Sequence, residues 1–291
     1  MTWSDVRFVV GDGVSLAVEE VGDVGAPPLV LVCGGSTSKE WWDDDLCELL
    51  ATAGRRVVRY DLRDSGQSST SPPGEPDYTG TDLADDLAAV IRSLDAGPAH
   101  VWGLSLGGGV VQAFATRHPD LVAAVVLEST SPGGPNTPGA PELPGPSPAV
   151  LATFEETDPG PDWDDLDASV AHLVEAERPF AGTLGLDVGR MSRIVRRMLE
   201  RGGPQRSAPN QFIVEDGPHV IDLAALTAPT LVIHGDADPL FPLAHGERLV
   251  EVLPHAELLV VPGLGHEYPP PATWDVIVPA VLAHTSATGG S

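Results

Sequence analysis

The chain has 291 residues, 42% of them hydrophobic and 20% charged, which suits one large globular α/β domain or a core domain carrying an insertion. Its 42 acidic residues against 16 basic ones leave a formal net charge of −26, a field that repels nucleic-acid phosphates and anionic membrane surfaces and disfavours strongly anionic substrates. Nucleic acid and membrane are therefore set aside as partners, and the acidity reads as a solvated surface.

The opening segment MTWSDVRFVVGDG has no basic stretch followed by an apolar one, so no signal peptide is expected there. No apolar run is long enough to span a bilayer, and the expectation is a cytoplasmic protein. RFVVGDGVSLAVEEVG reads as a hairpin turning at GDG. Short, continuous apolar runs follow at 29–33, 57–60, 99–102, 122–127, 230–234 and 257–261, the pattern of parallel strands covered on both faces. Helical periodicity falls between them at 40–53, 80–94, 106–118, 242–253 and 272–284. Strands alternating with helices imply βαβ units and a mostly parallel central sheet with helices on both faces. Cys33, in an apolar run, and Cys47, in an amphipathic helix, read as small buried hydrophobes in a reducing compartment.

The alternation breaks after residue 128. Residues 129–148 are dense in proline and glycine and read as a long loop or hinge. Helical patterns near 162–177 and 187–202 come next, and strands resume near 229. This divides the chain into a core, 1–128 and 220–291, and an inserted helical cap, 129–219. The apolar faces of that insertion need the core to cover them, which disfavours an independent second domain.

The segment AHVWGLSLGGGVVQAFA runs from a strand through Gly103-Leu104-Ser105-Leu106-Gly107 into a helix. G-x-S-x-G in that setting is a nucleophile elbow: the serine sits on a strained turn, and side chains at 103 and 107 would collide with neighbouring strand and helix. The plainer reading is a serine that caps a helix. A serine hydroxyl needs a base, and nine histidines are present. His266, in the glycine-punctuated loop VVPGLGHEYPP after the last strand, suits the task best. His100, His118, His172, His245, His255 and His284 lie at element ends, in the cap or in helices, and His234 ends a strand with an orientation that parity does not settle. In proteins with this elbow the orienting acid stands between serine and histidine in the chain. TLVIHGDADPLFP offers Asp236 and Asp238; Asp238 is favoured, with Asp236 free to hold the loop through an Asx-type bond. Glu128, ending a strand, is a third candidate, more simply read as a carboxylate bonded to loop amides. An oxyanion requires two N–H donors. Leu106, directly after the nucleophile, and Gly35, in the Gly34-Gly35-Ser36 loop after the first buried strand, are the candidates.

Together LVLVCGG, RYDLRDSGQS, GLSLGG, TLVIHGDADPLFP and PGLGH resemble the α/β-hydrolase superfamily, over about residues 5–128 and 220–285. The GG followed by a tryptophan-bearing helix, the RYDxRDxGxS loop and the closing PGLGH and VLAHT are similar to the aclacinomycin methylesterase group of actinomycete polyketide pathways. The resemblance implies the α/β-hydrolase fold, a triad of Ser105, Asp238 and His266, oxyanion donors Gly35 and Leu106, a cap over a mainly apolar pocket, and no cofactor. Two positions depart from the pattern: Cys33 stands where histidine is commoner, and Leu106 where the group usually has methionine. A backbone donor does not depend on that side chain.

The function expected is serine-dependent hydrolysis of a small or medium, apolar carboxylic ester through an acyl-enzyme, with a methyl ester on a polyketide-like scaffold among the candidate substrates. Trp41, Trp42, Trp102 and Phe180 are candidate pocket residues, with Trp102 better read as core. The same triad would also serve amide, lactone or carbon–carbon bond hydrolysis, or cofactor-free perhydrolysis. A non-catalytic binding protein on the same fold is the alternative of a different class. No metal or cofactor ligand set is visible, and the oligomeric state is open.

Overall fold

Strands form where valine, leucine and isoleucine run together, and alternate residues of each run serve opposite faces of the sheet. In β3 (Pro28–Val32) every residue is buried; Val30 and Val32 join one apolar cluster, Leu29 and Leu31 the other. The same division recurs in β5 (Ala99–Leu104), β6 (Val122–Glu128) and β7 (Thr230–Gly235), where Val101, Val125, Leu127 and Val232 face one side and Trp102, Val126, Leu231 and Ile233 the other. Each such side chain, taken fully out of water, contributes about 1.5–3 kcal/mol.

The structure, a computed structural model, describes residues 1–11, 13–134, 139–155, 160–203 and 205–286. Among the described residues, eight strands make one sheet in the order β1-β2-β4-β3-β5-β6-β7-β8, with β1 (Arg7–Gly11), β2 (Val14–Val21), β4 (Arg56–Tyr60) and β8 (Ala256–Val261) completing the set. β2 is antiparallel to both of its neighbours, and the remaining pairs from β4 to β8 are parallel. The expected hairpin is therefore present, although Asp12 of its GDG turn lies outside the described residues.

Helices α2 (Gly80–Arg92), α3 (Leu106–Arg117) and α7 (Ala244–Val252) cover one face through Leu83, Leu87, Val111, Phe114 and Leu249. α1 (Asp44–Thr52) and α8 (Trp274–Ser286) cover the other through Leu46, Leu50, Ile277 and Val281. Thr79 and Asp82 start α2 as a reciprocal capping box. Between β6 and β7 the chain leaves the sheet and forms α4 (Pro148–Glu155), α5 (Leu166–Ala176) and α6 (Val188–Gly202). α4 is an element that the proline-rich reading of 129–148 stopped just short of. α6 buries Met191, Ile194, Val195, Met198 and Leu199 on the second face of the sheet. The proline-rich stretch is fastened to α7, because His245 bonds Ser131 Oγ and Pro144 O, both at 2.9 Å. Residues 135–138 of that stretch lie outside the described residues.

Candidate active site

β5 delivers Ser105 to the first turn of α3, in a backbone conformation, φ 54° and ψ −118°, that costs a non-glycine residue about 1–3 kcal/mol. The glycines around it answer to lack of space. A Cβ on Gly103 would stand 2.3 Å from Gly107 O, and one on Gly107 2.4 Å from Cys33 O. The turn is braced from β6: Ser105 N–H donates to Glu128 O at 2.9 Å, and Thr130 Oγ1 donates to Ser105 O at 2.8 Å. Ser105 occupies the N-cap position of α3, yet its hydroxyl makes no cap bond. It lies 2.8 Å from His266 Nε2.

His266 is carried by the loop after β8, buried, with its own N–H donating to Phe180 O at 2.8 Å. The rings of Phe180 and Phe241 flank it, with centroids 6.2 and 5.4 Å away. Its Nδ1 stands 3.0 Å from Asp238 Oδ2, which assigns the proton to Nδ1 and leaves Nε2 as the acceptor facing the serine. Asp238, in the loop after β7, accepts from Leu240 N and Phe241 N through its other oxygen, at 2.9 and 2.8 Å. Burial pushes its carboxyl up, but the His266 hydrogen bond and charge and the Phe241 amide more than offset this and hold it below the ordinary range. Asp236 is used elsewhere: its Oδ1 accepts from Gly263 N at 2.6 Å and closes the loop that presents His266.

Glu128 is fully buried, and Trp102 Nε1 donates to its Oε2 at 2.9 Å, while Oε1 has no partner among the described residues. Its bond is therefore to an indole rather than to loop amides. Burial, which disfavours the charged form, raises its carboxyl well above the ordinary range. His234 turns inward and bonds Phe241 O at 2.7 Å.

The two candidate donors sit where hydrogen bonds are left over. Leu106 N–H opens α3 and so lacks an intrahelical partner. In the loop after β3, Gly34 N–H donates to Tyr268 Oη at 2.7 Å and Ser36 N–H to Gln211 Oε1 at 2.8 Å. Gly35 N–H, between them, has no partner among the described residues. The ring of Phe212 lies so close to Gly35 that a Cβ there would be 2.5 Å from it. Of the tryptophans, Trp42 and Trp102 are fully buried and meet edge to face with centroids 5.0 Å apart, so both are core. Trp41 is buried as well and lines a small cavity with Arg190, Glu267 and Tyr268. Phe180 stands beside the histidine, as does Phe241, which sequence reasoning passed over. Its one signal was its place three residues after Asp238.

Both cysteines are free and buried, and burial pushes the Cys47 thiol up to about 12. Among the described residues no cluster of three or more His, Cys, Asp or Glu is placed to hold a metal ion, and no helix is long and apolar enough to cross a membrane.

A family model described as alpha/beta hydrolase fold matches residues 27–268. Rhodomycin D methylesterase DauP of Streptomyces sp. (strain C5) is 30% identical, with 97% of this chain and 98% of that protein covered. Rhodomycin D methylesterase DnrP of Streptomyces peucetius is 29% identical with the same coverage of both chains. Among solved structures, the esterase RhEst1 from Rhodococcus sp. ECU1013 superposes with a TM-score of 0.73 at 22% identity, covering 96% of this chain and 98% of that one, a likeness of fold.

Proposed function

The chain belongs to the α/β-hydrolase fold family, and from that premise we propose that it is a carboxylic ester hydrolase working through an acyl-enzyme on Ser105. The observation that carries the reading is the unbroken hydrogen-bonded run from Ser105 Oγ to His266 Nε2 and from His266 Nδ1 to Asp238 Oδ2. His266 Nε2 takes the serine proton as Oγ attacks the ester carbonyl, then returns it to the leaving alcohol. Asp238 holds the tautomer and stabilises the imidazolium that forms. Gly35 and Leu106 N–H receive the charge that develops on the carbonyl oxygen. Water repeats the sequence and releases the acid. These steps call for no cofactor.

The substrate we propose is a small, apolar ester, specifically a methyl ester on a polyketide-like scaffold. Two full-length relatives named for the methyl ester of rhodomycin D support it, and so do the rings of Phe180, Phe241 and Phe212 around the histidine and the donor loop. The segment between β6 and β7 is proposed as the cap, since it brings Phe180, Gln211 and Phe212 to the site.

The test is turnover on a panel of p-nitrophenyl and methyl esters, wild type beside Ser105→Ala, with fluorophosphonate labelling as the second readout. Loss of both in the variant is the expected result. A wild type that neither turns over nor labels sinks the reading and favours a binding protein. Asp238→Asn is expected to lower kcat by about 10⁴-fold by letting the imidazole adopt the wrong tautomer. Asp236→Asn, at a carboxylate that accepts from Gly263 N and not from His266, costs far less; the reverse ranking would exchange their roles.

A further inference from the structure

A closed ring of hydrogen bonds holds the loop that carries Gly35, and neither the serine nor the histidine takes part in it. Gly34 N–H donates to Tyr268 Oη at 2.7 Å. Thr37 Oγ1 donates to Gly34 O at 2.9 Å. Tyr268 Oη and Thr37 Oγ1 are 2.6 Å apart. The threonine's one proton is committed to the carbonyl, so the proton between the two hydroxyls is the tyrosine's. Each hydroxyl thus accepts one bond and donates one. Both side chains are buried, and the tyrosine ring is wedged against Trp41 and Trp42, with centroids 5.7 and 5.0 Å away.

Gly34 C=O and Gly35 N–H belong to the same planar peptide group and point in opposite directions. Whatever fixes the carbonyl therefore aims the amide. We propose that Thr37 and Tyr268 are positioning residues that orient the Gly35 N–H toward the substrate's carbonyl oxygen. Tyr268 follows His266 by two residues, so one short segment sets both the histidine and the donor peptide. Ser36 N–H, held by Gln211 Oε1, fixes the next peptide along. The proposal rests on the reading of Gly35 as an oxyanion donor.

Tyr268→Phe and Thr37→Val keep the shape and remove one hydroxyl each. Each is expected to lower kcat about 10- to 100-fold, with KM changed less than about twofold, because a donor that matters in the transition state is misaimed. The double variant is no worse than either single one, since the ring is broken once. Thr37→Ser, which keeps the hydroxyl, retains wild-type turnover. The acid limb of the kcat/KM profile stays in place in all of them, because the His266–Asp238 pair is untouched. A small apolar alkyl or aryl boronate that mimics the tetrahedral adduct loses affinity in step with kcat. Wild-type kcat in both single variants overturns the proposal, as do a loss confined to KM or a serine variant as poor as the valine one. If Tyr268→Phe does not fold, the Thr37→Val and Thr37→Ser pair decides alone. Failure of the ester reading looks different: the wild type itself fails to turn over esters and to label, and the proposal falls with it.

Discussion

Strand β3 and helix α6 pack into the same apolar cluster, but they are attached in different ways. β3 is buried at every residue and carries no charge. α6 adds to its apolar ridge three arginines at i, i+7 and i+11, one face of a helix, and each reaches carboxylates of the core. Arg190 Nε donates to Asp43 Oδ2 at 2.7 Å, Arg197 pairs with Asp44, and Arg201 pairs with Glu19 at 2.6 Å and Glu40 at 2.8 Å. Apolar contact has no direction, so it holds the sheet together but leaves a helix free to slide or rotate. The arginine pairs supply the register. The candidate site straddles this division: Ser105, Asp238, His266 and Gly35 stand on core loops, while Phe180 O and Gln211 come from the segment that α6 anchors.

The largest loss is expected at the core. Gly107→Val would drive a side chain into Cys33 O, 2.4 Å from its Cβ, and is expected to cost more than about 4 kcal/mol, leaving no soluble, cooperatively melting protein. A variant that melts like wild type would show the β3–α3 approach to be slack. Arg201→Met attacks the attachment of α6 instead. It leaves Glu19 and Glu40 short of a cation and is expected to cost about 2 kcal/mol, a fall in Tm of about 4–8 °C by calorimetry, with kcat little changed. A large loss of kcat with Tm unchanged would mean that the segment shapes the chemistry rather than riding on it.

The same attachment carries a dependence on acid. Burial pushes Glu19 up, but the Arg201 bond and the charges of Arg59, Arg201 and Lys39 bring it down to about 2 from an ordinary 4.5. Its stabilisation is complete above about pH 4.5 and is lost as pH falls from there toward 2. Urea midpoints measured against pH should therefore separate wild type from Glu19→Gln at pH 6 and bring them together near pH 2. Curves that stay parallel would show that the carboxylate is not held by those arginines.

The core was legible because its signals are local. Val122–Glu128 and Thr230–Gly235 are read almost to the residue from unbroken apolar runs, and the elbow from five residues in a row. α4 was missed because its one turn of apolar pattern follows directly on a proline-rich stretch that reads as loop. Trp41 and Trp42 were weighed as pocket residues because an aromatic side chain suits a pocket or a core equally, and only the neighbours decide. Phe180 is legible as a candidate pocket residue, but the bonds of Gln211 and Tyr268 to the Gly34–Ser36 loop carry no local signal, since each crosses a long interval of sequence.

Asp236 and Asp238 show where the boundary lies. The sequence alone determined that a carboxylate-bearing loop follows β7, that a histidine loop follows β8, and that a serine elbow follows β5, since strand, turn and helix are set by neighbouring residues. Only the tertiary structure decided that Asp238 meets His266 while Asp236 meets Gly263, and that Tyr268 reaches back to Gly34. Those choices depend on the distance and angle between chain segments that are brought together by the packing of the whole sheet.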